Sequence, residues 1–267
     1  MGDFENTGFL GEEIRNYICH RDLTETEKRV QIIVAETNAL LHEFKRKIEV
    51  KEENAVDLTL AALFARLIQS FSASVILCQY GLSHDAHAVA RNLVVGIFII
   101  KSIIDKPRNL DRYVAKYLQE TQKRLEKIKK KDYLGQNNQE EVSNKIEEYQ
   151  TLFDSLVVQG NLTEKSFAVQ AGMEDDYDSF YAAMSSFVHT SISTLDRFLK
   201  TDVNGSVKEF DIGPNFDGVP LLLLSCCSYV LQVVDSLSQH YGIEKPATHK
   251  KISTKIGEEL KILDQIS

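Results

Sequence analysis

Between Thr24 and Ile104 the chain has two glycines, Gly81 and Gly96, and no proline. So long a stretch with so few turn formers excludes most folds. A sandwich or barrel needs frequent tight turns, and a doubly wound sheet needs glycine-rich loops. The whole chain repeats the pattern, with 13 glycines and 4 prolines in 267 residues. Long helices with few connections remain, and the periodicity agrees. Val30, Ile33, Val34, Thr37, Leu40, Leu41, Phe44 and Ile48 recur at spacings of three and four. They follow a T-x-x-E capping box running from Thr24 to Glu27.

The same reading carries along the chain. A short helix is expected over 10–20, and another from about 57 to 80 that Gly81 ends. Ser83 is the expected cap of the next, which runs to about 104. Its segment Leu93–Ile100 is rich in β-formers; length and context make it a buried helix, with a buried strand as the alternative. Pro107 opens a helix to about Lys131, with Leu110, Tyr113, Val114, Tyr117, Thr121, Leu125 and Ile128 as its inner stripe. A turn at Gly135, Asn137 and Asn138 leads to a partner helix over about 139–158. Dense charge on the outer faces makes this pair an exposed helical hairpin. Beyond it come a short helix over 163–171 and a longer one, with a break, over 175–200. Gly205, Gly213, Pro214, Gly218 and Pro220 then crowd one irregular segment, in which Val207–Ile212 alternates like one small strand. A core helix from Pro220 to Gly242 and an amphipathic tail over 248–265 finish the chain.

The expected fold is therefore all-α: a single-domain helical bundle with a projecting charged antiparallel helical hairpin and one short extended segment. Its parts are N-terminal helices (1–56), central core helices (57–106), the hairpin (107–158) and C-terminal helices (159–267).

Bulk charge narrows the function classes. With 31 Lys and Arg against 39 Asp and Glu, the chain carries −8, which argues against general nucleic-acid coating. A local exception is the stretch 116–131, where seven basic residues meet two glutamates. Lys123, Arg124, Lys127 and Lys130 form a basic stripe able to meet RNA or DNA phosphates. The competing expectation is that Glu140, Glu141, Glu147 and Glu148 of the next helix pair with it. The N-terminus MGDFENTGFL lacks the basic-then-apolar order of a secretory signal. The four cysteines form no C-x-x-C pair and read as reduced core residues, so a cytoplasmic location is expected. The apolar runs Ala88–Ile104 and Val219–Val234 read as core helices, with no membrane partner.

Two segments bear residues with chemistry. His84, His87 and Arg91 stand at i, i+3 and i+7 on one helical face, just before the most apolar run. Arg91 there needs a partner or a pocket: it either binds phosphate or carboxylate, or ties two helices together. Ser185, Ser186 and His189 form a small polar cluster in an otherwise apolar helix. His189 is suited to general acid–base work, or to a core hydrogen bond. No G-x-S-x-G elbow supports a serine nucleophile. His84, Asp85 and His87 alone make a weak metal set, so neither metal nor cofactor is expected. Arg15 and His20 match the R-x4-H signature of HEPN ribonucleases, but ten arginines and seven histidines yield about one such match by chance.

The segment Gly81–Val95 and the S-x-x-x-H segment Ser185–His189 together resemble a bacterial all-helical family known only as a domain of unknown function. Arg91 and His189 fall on its motif positions; Val95 stands where the family often has Glu. The family is in turn distantly similar to HEPN-like and abortive-infection proteins. That resemblance implies a prokaryotic defence or toxin–antitoxin component acting on RNA, as a metal-independent endoribonuclease or an RNA-binding protein. In it Arg91 would hold the phosphate, His189 would move the proton, and His84, His87, Ser185 and Ser186 would line the pocket. Two alternatives stay open. One is a non-enzymatic interaction module that meets a partner protein or a second copy through 107–158. The other is a small-ligand sensor.

Overall fold

Thr24 closes the start of the first long helix as its sequence demands. Its hydroxyl accepts from Glu27 N, and the Glu27 carboxylate accepts from Thr24 N at 2.8 Å. The computed structural model describes residues 9, 11–51, 53–130, 136–156, 158, 160–188 and 195–266. Helix α1 spans Glu12–His20, α2 Glu25–Lys45, α3 Ala55–Gln79, α4 Ser83–Asp105, α5 Asn109–Lys130 and α6 Gln136–Ser155. Helix α7, Glu164–Gln170, precedes a continuous rod: α8 at Glu174–Asp176, a π-helical turn at Tyr177–Tyr181, and α9 at Ala182–Val188. A 3-10 turn at Asp196–Phe198 leads into strands β1, Leu199–Thr201, and β2, Val207–Phe210; α10, Val219–Tyr241, and α11, Thr248–Ile266, complete the order.

Helix α4 is the hub. It forms a hairpin with α3, lies against α10, and is covered by α7 and α9. Helix α11 packs on α2 and α10. Leu93, Val94, Ile97, Phe98 and Ile100 are shielded on α4, so the β-forming run is helical because partners surround it. Phe44 and Phe64 meet edge-on, ring centroids 5.7 Å apart, at the α2–α3 contact. Burying each such ring contributes about 1.5–3 kcal/mol. Three helices, α3, α4 and α10, are long and apolar enough to cross a membrane by length and composition.

Several expectations need correction. Helix α3 starts at Ala55 rather than at about 57, because Asn54 caps it by accepting from Val56 N and Asp57 N. Ser83 does not cap α4; it is the first helical residue, and its buried hydroxyl has no hydrogen-bond partner among the described residues. Helix α5 turns Asn109, Ala115 and Leu118 inward, leaving Val114, Tyr117 and Ile128 of the expected inner stripe exposed. Leu199 and Lys200, expected at the end of a helix, and Thr201 pair antiparallel with β2 instead. The expected single strand is therefore one arm of a β-hairpin. The pairing also satisfies backbone groups that a lone strand would leave open.

The turn from α3 to α4 is pinned. Gly81 adopts φ +70°, and a Cβ there would lie 2.6 Å from Pro214 Cβ. Asn215 N donates to Gly81 O at 2.8 Å, which fixes the 212–218 loop over this turn.

Candidate functional site

The face of α4 that carries His84, His87 and Arg91 is pressed against the rod at 177–188. Arg91 Nε donates to Ser185 Oγ at 3.0 Å, and Arg91 Nη2 donates to the Tyr181 hydroxyl. Its guanidinium carbon also stands 4.6 Å from the Tyr181 ring centroid. Ser185 relays the contact by donating to Tyr181 O at 2.9 Å. The π-turn serves this geometry. It adds one residue to a helical turn, and Tyr177 and Tyr181 stack at 4.5 Å over Phe98. Such turns recur at functional sites.

No carboxylate among the described residues lies within ion-pair distance of Arg91. Its charge acts on Glu164 of α7, which Lys116 of α5 holds at 2.6 Å. Burial of Glu164 opposes its ionisation. The Lys116 hydrogen bond, a backbone hydrogen bond and the charges of Lys116 and then Arg91 outweigh this and hold its carboxyl below its ordinary value. Val95, one turn beyond Arg91, packs half-buried against the core. Where a glutamate would neutralise Arg91, this chain has an apolar contact.

His87 and His84 extend the seam. His87 Nδ1 donates to Ser83 O at 2.6 Å, and its ring stacks on Phe187 at 4.2 Å. His84 lies 5.2 Å from Phe187 and 5.0 Å from Phe198, measured between ring centroids. Ser186 turns away: its hydroxyl donates to Ala183 O at 2.7 Å. The structure thus brings together Arg91, Ser185, His87 and His84, but not Ser186. His189 lies outside the described residues. His20 donates from Nδ1 to Asn16 O within α1, while the Arg15 side chain is outside the described residues.

Sequence reasoning gave no role to Tyr181, Tyr177 or Glu164, and counted Lys116 only within the basic stretch 116–131. The spacing Tyr177, Tyr181, Ser185 was visible as a repeat of four. Lys116 and Glu164 are far apart in the chain, and nothing local announces their pairing.

The basic stripe also differs from one expectation. Lys123, Arg124, Lys127 and Lys130 are exposed, and among the described residues no salt bridge joins them to α6. Glu148 instead pairs with Lys145 of its own helix at 2.9 Å. The α5–α6 contact is made by glutamines, Gln122 Nε2 donating to Gln150 Oε1 at 2.9 Å. Among the described residues no group of three or more His, Cys, Asp or Glu is arranged to hold a metal ion.

A family model described as "Family of unknown function (DUF5677)" matches residues 57–207, more than half of the chain. The matched span contains the whole Arg91 seam. No curated protein and no solved structure matches.

Proposed function

We propose that this chain, which belongs to that family of unknown function, acts on RNA, with Arg91 as its phosphate-binding group. One observation carries the reading. Arg91 is oriented by two neutral hydroxyls and has no carboxylate in ion-pair range among the described residues. An arginine whose only task was to tie two helices together would be stabilised by a carboxylate or carbonyl partner. This one keeps its charge and its remaining N–H groups for an anion. Helix α5 gives the same site a second electrostatic element. From Lys116, beside Glu164, the helix rises about 1.5 Å per residue to the stripe at Lys123, Arg124, Lys127 and Lys130. These exposed cations are suited to successive phosphates. His189 is the general acid–base of this reading, on the sequence grounds of its place four residues after Ser185. The distant likeness to HEPN-like proteins extends the reading, by analogy, to metal-independent cleavage in a defence or toxin–antitoxin setting.

The test is anisotropy with a labelled single-stranded RNA at low and at physiological salt. Binding is expected to weaken with salt, and Arg91→Gln is expected to weaken it at least tenfold. His189→Ala is expected to keep binding and to lose strand cleavage measured on a gel without divalent metal. Absence of binding by the wild-type chain at low salt contradicts the proposal.

A second reading has its own observation. Tyr117 is 54% exposed on α5 and Leu152 47% exposed on α6. In that reading the hairpin is a protein-contact element that meets a partner or a second copy. Sedimentation of the wild type against Tyr117→Lys distinguishes it: loss of self-association with RNA binding intact favours this reading.

A further inference from the structure

A cavity of about 920 Å3 opens between α2, α3 and α10, and no residue of the Arg91 seam lines it. Its walls include Val30, Val34, Phe71, Cys78 and Leu223, all shielded from solvent yet bordering empty space. Helix α3 explains the opening. Only 33% of its most apolar window is buried, against 56% for α4 and 67% for α10. Val75 and Ile76 of α3 line the opening, with Ile76 exposed.

The end of the cavity is built and fixed. Arg21 stacks on Phe216, 3.8 Å from the ring centroid, and pairs with Glu27 at 2.6 Å. Phe216 follows Asn215, whose amide is anchored on Gly81. Glu27 is further committed as the capping-box carboxylate of α2. The charged lining residues among those described therefore neutralise each other. The remaining polar lining includes the carboxamides of Gln31, Asn38 and Gln79, which make no side-chain hydrogen bond among the described residues. A pocket of this size, apolar in its walls and neutral in its polar groups, matches small-molecule sites, which span roughly 300–1,000 Å3. Charge complementarity excludes ionic ligands, because an anion or cation would enter without a counter-charge.

We infer that the α2–α3–α10 groove is a binding site for a neutral small molecule with a large apolar body and a hydrogen-bonding group for the carboxamides. Of the two thiols that line the groove, burial pushes Cys78 up to about 12, so it is not a nucleophile at neutral pH, whereas Cys19 is exposed.

The test uses the full chain and phenylnaphthylamine, a neutral probe that brightens in apolar surroundings. Saturable uptake of one probe per chain is expected. Ala35→Phe and Ser72→Phe, which fill the groove from opposite walls, are each expected to weaken it at least tenfold with the melting temperature unchanged. The anionic analogue anilinonaphthalene sulfonate is expected to bind at least tenfold more weakly than the neutral probe. Three results overturn the inference: no saturable uptake, uptake unchanged in both filled variants, or equal binding of the anion. A fourth is a wild-type dimer in sedimentation that Ala35→Phe converts to monomer, since the groove then belongs to a second copy.

Discussion

Arg91 on α4 reaches Ser185 on α9 at 3.0 Å, across ninety-four positions of sequence, with no carboxylate of the described residues in ion-pair range. The contact fixes the direction of the guanidinium and leaves its charge unneutralised. Both halves of that statement have measurable consequences.

Replacing Arg91 by Met removes two hydrogen bonds and leaves the Tyr181 and Ser185 hydroxyls without that partner. The expected loss is about 1–3 kcal/mol of stability, read from urea midpoints at constant slope. A loss within a few tenths of a kcal/mol would show that the seam does not depend on the guanidinium.

Glu164 sets a pH dependence. Its carboxyl is held below its ordinary value because the Lys116 hydrogen bond and nearby cations outweigh burial. A carboxyl lowered on folding contributes stability that is complete above its ordinary value. That contribution is lost as pH falls through the folded value. Stability measured across the acid range should therefore fall more steeply for wild type than for Glu164→Gln. Parallel curves would remove Glu164 from the account.

The thiols should divide one against three. Burial pushes the Cys78 and Cys227 thiols up to about 12 and that of Cys226 well above its ordinary value, whereas Cys19 is exposed. A thiol-disulfide reagent at neutral pH should modify one cysteine of the native chain quickly, and all four after unfolding. Rapid modification of two or more native thiols would contradict the packing around α10.

Gly81→Ala should be costly. The residue would have to hold φ +70° with its Cβ 2.6 Å from Pro214 Cβ. The backbone strain alone is about 1–3 kcal/mol, and the clash adds to it by displacing the 212–218 loop. An unchanged melting temperature would show that this loop is not pinned to the α3–α4 turn.

The helices were readable because their signals are local. Thr24 and Glu27 sit three apart and form the capping box that their spacing demands. Gly242, placed to end α10, takes φ +65°. Readings failed where a distant partner decides. Val114 and Tyr117 share the periodicity of Leu110, but Ala115 is what the core accepts, and that preference belongs to the neighbours of α5. Lys200 lies in a strand because Glu209 and its neighbours pair with it. At the site, the α4 face of His84, His87 and Arg91 was legible as a helical spacing. Tyr181 was hidden because a π-turn shifts its register, and the Lys116–Glu164 pair because forty-eight positions separate its members.

The central claim is that the Arg91 guanidinium is reserved for a phosphate. The direct measurement is the affinity of the wild type and of Arg91→Gln for one single-stranded RNA at low and physiological salt, with helical content checked in both. The account predicts salt-dependent binding by the wild type and at least a tenfold loss in a variant that remains helical. Equal affinities, or no binding by the wild type at low salt, would contradict it.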